Sequence, residues 1–290
     1  MKREITVERA TELWLQKSSE RLAFFDSELR DFLKHVRETK TFEGHEIKGI
    51  RKNSNIRKKT VEMIDYLTET NLIDSHYNYF ILKNKVLNEL QIVCSLYERG
   101  YISYLSAMKY YGLTTESLKH IDYTAPTRKQ WTQYKSDNSL NRMGIKRPYP
   151  SELIRIRGKQ IVVHSRTHAY NPNFKNSIRV ISIGDLFLEM VKHPDLCGGF
   201  EKVLEIYTKY AQSYMNDIVY SLEKFGTDID KSRVGYILDC YLKIADLNVL
   251  SWKASCLARG GNRKMISSNC YSEIYSSEWN LSLNHELFYQ

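Results

Sequence analysis

From Val7 to Val36 apolar residues return at intervals close to 3.6, through Leu13, Leu15, Leu22, Phe24, Phe25, Leu29, Phe32 and Leu33. That period marks amphipathic helix, and it predicts an N-terminal helix over residues 7–19 and a second over 27–38. Residues 41–56 carry no strong apolar period. Beyond them Val61, Ile64, Leu67 and Leu72 share one helical face, which predicts a short amphipathic helix over 60–70. The run 76–85, HYNYFILKNK, has the aromatic and β-branched character of a strand. Helix, helix, basic helix, then a strand with a turn is the order of a winged helix-turn-helix. The plainer expectation is a small helical bundle with one stray strand.

Two further helices are expected over 87–100 and 102–114, with Gly100 and Gly112 as their stops. The pattern then changes. Residues 120–126, HIDYTAP, read as a strand, 127–150 as a charged loop, 153–167 as a hairpin turning at Gly158, and 177–183 as another strand. After Gly184 the helical period returns in five successive segments, and the tail 278–288 is expected to close with a strand. The chain is therefore read as α+β and mainly helical. Residues 1–85 form an N-terminal helical extension and winged helix-turn-helix, 86–180 the mixed α/β middle part of a second domain, and 181–290 its helical C-terminal part.

Charge sharpens this reading. Lys and Arg number 43 against 34 Asp and Glu, a net +9, which suggests a polyanionic partner. The excess is concentrated: Lys48, Arg51, Lys52, Arg57, Lys58 and Lys59 stand between residues 48 and 60 with no acidic residue among them, and Asn53, Ser54 and Asn55 are interleaved. These nine residues lie just before the third predicted helix. In a helix-turn-helix that segment enters the major groove, where Arg and Lys hold phosphates and short polar side chains read base edges. The competing reading is a solvated basic loop. Arg128, Lys129, Arg142, Lys146 and Arg147 flank the middle loop, and Arg259, Arg263 and Lys264 follow a helix end, where cations suit the helix dipole.

Catalytic chemistry finds little support. The chain has no phosphate-binding glycine loop, dinucleotide fingerprint, zinc-protease motif or nucleophile elbow. His164 and His168 are four apart, but on a strand and its following loop. Asp228 and Asp230 form one D-x-D pair at a helix start, where Asp serves as a turn or cap residue. His193 precedes a proline as a helix cap. Cys94, Cys197, Cys240, Cys256 and Cys270 show no zinc or redox spacing and read as small hydrophobes. No enzyme activity, metal or cofactor is expected. With no apolar run of about 18 residues and a charged N-terminus, the chain is expected in the cytoplasm, without a membrane partner.

The helix ISYLSAMKYYGLT, with Ser106, Ala107, Tyr110, Tyr111, Gly112, Leu113 and Thr114, resembles the AbiEi-family antitoxins. The likeness continues in order through HIDYTAP, the hairpin IRIRGKQIVVHS, VISIGDLFLEMVKHPDLCGGFEKVLEI, SRVGYILD and WNLSLN, about two thirds of the chain. It departs at Gly184, Asp185 and Leu186, where family members often carry an acidic residue followed by Ala or Thr, and it does not extend to residues 1–26. The resemblance implies a type IV antitoxin active in abortive infection. Such a protein represses its own operon by binding operator DNA and counteracts a co-encoded nucleotidyltransferase-like toxin, with or without stable contact. A second copy of the chain is a candidate partner. The alternatives are a winged-helix regulator whose second domain senses a ligand or partner, and a nucleic-acid enzyme with an unrecognised site.

Overall fold

The structure is a computed structural model that describes residues 3–289 apart from 18–21, 78, 84–86, 134–142, 144, 146, 152–153, 169 and 258–262. In chain order the first elements are β1 (Glu4–Thr6), α1 (Val7–Gln16), β2 (Ala23–Phe25), α2 (Asp26–Thr39), β3 (Thr41–Phe42), β4 (His45–Lys48), α3 (Ile56–Glu69), β5 (Ile73–Ser75) and β6 (Tyr79–Leu82). Next come α4 (Glu89–Leu96), β7 (Tyr101–Ile102), α5 (Tyr104–Tyr110), β8 (His120–Pro126), α6 (Arg128–Gln133), β9 (Arg155–Ile156), β10 (Lys159–Arg166), β11 (Asn173–Lys175) and β12 (Ile178–Val180). The rest is α7 (Ile183–Lys192), α8 (Phe200–Tyr210), α9 (Met215–Phe225), α10 (Asp228–Tyr236), α11 (Leu247–Leu257), β13 (Arg263–Lys264), β14 (Tyr275–Ser276) and β15 (Leu281–Ser282). It is a mixed α/β chain whose described strands form small sheets.

The chain divides into two compact units. One holds residues 1–102, 119–169 and 174–179; the other holds 103–118, 170–173 and 180–290. The expected segment 1–85 thus lies within the first unit together with most of 86–180. Helix α5 is contributed to the second unit by an excursion of the chain.

The N-terminal part of the first unit is organised by aromatic packing. Trp14 of α1 stacks on Phe32 of α2 with centroids 4.7 Å apart and meets Phe24 of β2 edge-on at 5.8 Å. Phe24 continues to Phe80 of β6 at 5.2 Å, and Phe32 to Phe42 of β3 at 5.2 Å. Fully burying such rings contributes about 1.5–3 kcal/mol each, and aromatic pairing somewhat more. Met63 and Leu67 dock α3 onto this cluster.

Two elements here differ from the sequence expectation. Leu22, Phe24 and Phe25 are not helical: β2 is a strand whose residues are all buried, with β6 beside it and β5 beyond, in the order β2-β6-β5 and antiparallel throughout. A strand buried on both faces shows no alternation, so its apolar run was absorbed into the helical period on either side. Residues 41–48, read as patternless, form the hairpin β3–β4, with β1 added in parallel to β4. Its turn is Glu43–Gly44, both at positive φ (50° and 78°), the mirror-image geometry that two-residue hairpins require. The expected hairpin at Gly158 has the same construction, with Arg157 at 49° and Gly158 at 83°.

The first unit also holds most of a six-stranded sheet in the order β11-β12-β7-β8-β10-β9, with β8 and β10 parallel from His120↔Gln160 to Pro126↔Arg166. Gly100 is no helix stop. Helix α4 ends at Leu96, and Gly100 lies where a Cβ would come within 2.3 Å of the Thr124 carbonyl oxygen on β8. Gly112, in contrast, follows the end of α5 as expected. Its N–H bonds to the carbonyl of Lys109 and that of Leu113 to Met108, the paired closure of a helix ending in a left-handed residue.

The second unit is built around α7, whose residues Ile183 to Val191 are all buried. Helices α5, α9 and α10 pack on it. The expected strand near the C-terminus is present as β15, central in the sheet β13-β15-β14. Among the described residues, no helix is long and apolar enough to cross a membrane.

Candidate nucleic-acid interface

The nine residues singled out by charge form one continuous surface feature: the end of β4, a turn, and the first turn of α3. Strand β4 delivers Lys48, and Ile50, only 3% exposed, pins the chain to the core before it emerges. Residues 51–54 then close on themselves, with the Arg51 N–H donating to Ser54 Oγ at 2.9 Å and the Ser54 N–H to the Arg51 carbonyl at 3.0 Å. Asn55 caps α3, its Oδ1 accepting from the Lys58 N–H at 3.2 Å. This is the ordinary work of Ser and Asn at a helix start. Asn53, the third of the interleaved polar residues, is exposed.

Two residues outside the predicted set brace this loop from the end of α2. Arg37 Nη1 donates to the Ser54 carbonyl at 3.3 Å, and Lys40 Nζ donates to the Ile50 carbonyl. Both are remote in sequence from the cluster they support, so no local pattern revealed them.

The cations differ in their freedom. Lys48 pairs with Glu4, and Lys59 with Glu8 at 3.6 Å and Glu62 at 3.3 Å. Arg51, Lys52, Arg57 and Lys58 are exposed and have no carboxylate partner among the described residues. Their placement runs against intrinsic helix stability. The N-terminal turn of a helix favours anions by about 0.3–1 kcal/mol each. Helices α1, α2 and α4 of the same unit follow that rule with Glu8, with Asp26 and Glu28, and with Glu89, whereas α3 has no acidic residue in its first turn. The acidic residues of α3, Glu62, Asp65 and Glu69, come later. An anionic ligand at the N-terminus of α3 would offset the unfavourable arrangement.

Helix α3 is fixed by more than apolar contact. The Tyr66 hydroxyl donates to Glu12 Oε1 on α1 at 2.6 Å. That hydrogen bond, with desolvation and the negative charge of Glu12 adding to it, pushes the Tyr66 phenol up to about 12. The folded state therefore keeps a proton that the unfolded chain loses near pH ~10. The contribution is intact below that pH and is lost as pH rises toward 12. Tyr66→Phe should lower the stability of the unit by about 1 kcal/mol at neutral pH. In denaturation series followed by circular dichroism, the gap between variant and wild type should close between pH 10 and 12. A constant gap would detach the effect from this proton.

The turn between β5 and β6 is short, with the His76 N–H bonded to the Tyr79 carbonyl at 3.0 Å and the two rings stacked 4.8 Å apart. At its tip Tyr77 is 98% exposed.

Other sequence candidates fall elsewhere. His164 and His168 are not brought together as a pair: His164 Nε2 meets the buried Asp122 at 3.0 Å, and His120 Nε2 approaches the same oxygen at 3.3 Å. Asp230 closes the start of α10, accepting from the N–H and hydroxyl of Thr227 at 3.0 and 2.8 Å. His193 is the C-terminal cap of α7, as expected, and faces Glu189 at 3.8 Å. Asp239, Cys240 and Glu278 gather potential ligand atoms, but the Lys253 ammonium stands 2.8 Å from Asp239 and 2.5 Å from Glu278. Arg147, read as a flank of the middle loop, turns inward to Glu28 and Glu98 at 3.3 Å each. Arg142, Lys146 and Arg259 lie outside the described residues.

Of the stretches that carry the family resemblance, HIDYTAP and the hairpin lie in the first unit and the others mostly in the second. Tyr104 of α5 and Tyr170 place their hydroxyls 3.3 and 2.6 Å from the carboxylate of Glu189 on α7, which is 1% exposed. The indole N–H of Trp279 reaches Asp239 at 3.1 Å, joining the two later motifs.

The arrangement defines a mixed α/β protein with a braced basic loop at a helix N-terminus. No protein-family model matches the chain, and no curated protein matches it. Among solved structures, the crystal structure of the RV2827C protein from Mycobacterium tuberculosis is similar, with a TM-score of 0.51 at 9% identity over 94% of this chain and 89% of that one. The likeness is one of fold alone.

Proposed function

We propose that this chain is a DNA-binding antitoxin: a winged-helix repressor of its own operon whose second part counteracts a nucleotidyltransferase-like toxin. The observation that carries the DNA half is the exposed set Arg51, Lys52, Arg57 and Lys58, without a carboxylate partner among the described residues, at the N-terminus of α3, on a helix whose own stability would favour acids there. The element order of helices α1, α2 and α3 with the sheet β2-β6-β5 supports the winged-helix reading. The β3–β4 hairpin takes the place of the tight turn between its second and third helices. The antitoxin half is supported by the resemblance of residues 102–114 and 180–206 to the AbiEi family.

Two measurements test the two halves separately. The protein should retard a duplex spanning the region upstream of its own gene, with an affinity that falls steeply with salt. Co-expression with the adjacent gene should restore growth that the neighbour alone suppresses. Binding without rescue would leave a regulator with no antitoxin role; rescue without binding would remove the repressor.

A further inference from the structure

The apolar period of residues 61–72 places Val61 on the buried face of α3, yet the face that docks on the core is Thr60, Met63 and Leu67, and Val61 is 57% exposed. It stands three and four residues after Lys58 and Arg57, so the three side chains share one surface of the helix. A β-branched residue more than half exposed is a poor choice for a helical position. Charge along the helix limits how α3 meets DNA. Its cations are confined to the first turn, Glu62 beyond them pairs with Lys59, and the exposed Asp65 and Glu69 would be repelled by phosphates if the helix lay lengthwise in the groove. On the DNA-binding reading only the N-terminal turn and a half would enter the groove, with Val61 the apolar side chain at its inner limit.

We infer that Val61 is a specificity-determining residue that reads the C5-methyl group of a thymine in the major groove, while Arg57 and Lys58 hold the flanking phosphates. This rests on the DNA-binding reading above. A thymine methyl is the one apolar group the major groove offers, and small apolar side chains meet it.

The probe is a duplex selected by the full-length protein from a random-sequence pool. Each thymine of the selected site is replaced singly by deoxyuridine, which removes the methyl alone. At one position the replacement should weaken binding about fourfold, the effect of one buried methyl group. Val61→Ala should weaken binding to the thymine duplex by a similar factor and reduce the effect of removing the methyl at that position. Val61→Ile should keep the discrimination. Because Val61 is exposed and alanine favours helix, the alanine variant should fold, which its circular dichroism would check. Independent, multiplicative losses at every thymine would overturn the assignment while leaving DNA binding in place. A pool that fails to enrich would remove the DNA-binding reading and Val61 with it.

Discussion

Changing Arg51 and Arg57 together to alanine should weaken duplex binding by roughly tenfold to a hundredfold near physiological salt and lower the salt dependence by about two phosphate contacts. Neither guanidinium has a carboxylate partner among the described residues, and both are exposed, so the fold has no structural reason to change. The measurement is affinity against salt concentration, with Lys48→Ala and Lys59→Ala as internal comparisons. Those two lysines are already paired with Glu4 and with Glu8 and Glu62, and their removal should cost less. Equal effects at all four positions would mean that the surface acts as a diffuse positive field. No effect at Arg51 and Arg57 would place the contact elsewhere.

Arg147→Met should destabilise the first unit by about 3–5 kcal/mol, since it removes a cation that faces a buried carboxylate. The Glu28 side chain is 0% exposed and that of Arg147 13%, so solvent cannot replace the missing charge. Glu28 also accepts from the Phe25 N–H at the start of α2, and the loss should loosen the junction of β2 and α2. Urea midpoints would measure this, and Glu28→Gln in the same chain should recover part of the loss. A change below about 1 kcal/mol would put the pair among solvent-screened surface contacts.

Most of the architecture was legible where one physical signal dominated. Helices α1, α2, α8 and α9 have polar outer faces, so their period is plain in the residues. The charge cluster at 48–59 was equally plain, because like charges tolerate such crowding only where solvent or a counter-charge relieves it. Strand β2 and the hairpin β3–β4 were not legible. One is buried on both faces, and the other depends on a Glu-Gly turn that is weaker than the common Asn-Gly signal. The excursion that carries α5 into the second unit also had no mark in the sequence.

The sequence by itself determined that this chain is mixed in secondary structure and basic at one segment, with short polar residues interleaved there. Tertiary structure decided what each of those residues does. It assigned Ser54 and Asn55 to hold the loop and Lys48 and Lys59 to ion pairs, and it turned Arg147 inward. It also recruited Arg37 and Lys40 as braces and left Arg51, Lys52, Arg57 and Lys58 facing solvent. The reason is that composition sets how much charge a segment carries, while the partners that neutralise it come from strands and helices distant in sequence. Val61 makes the same point for apolar side chains. Its period assigns it to the core, but the core reached by α3 lies a third of a turn away, on Thr60, Met63 and Leu67.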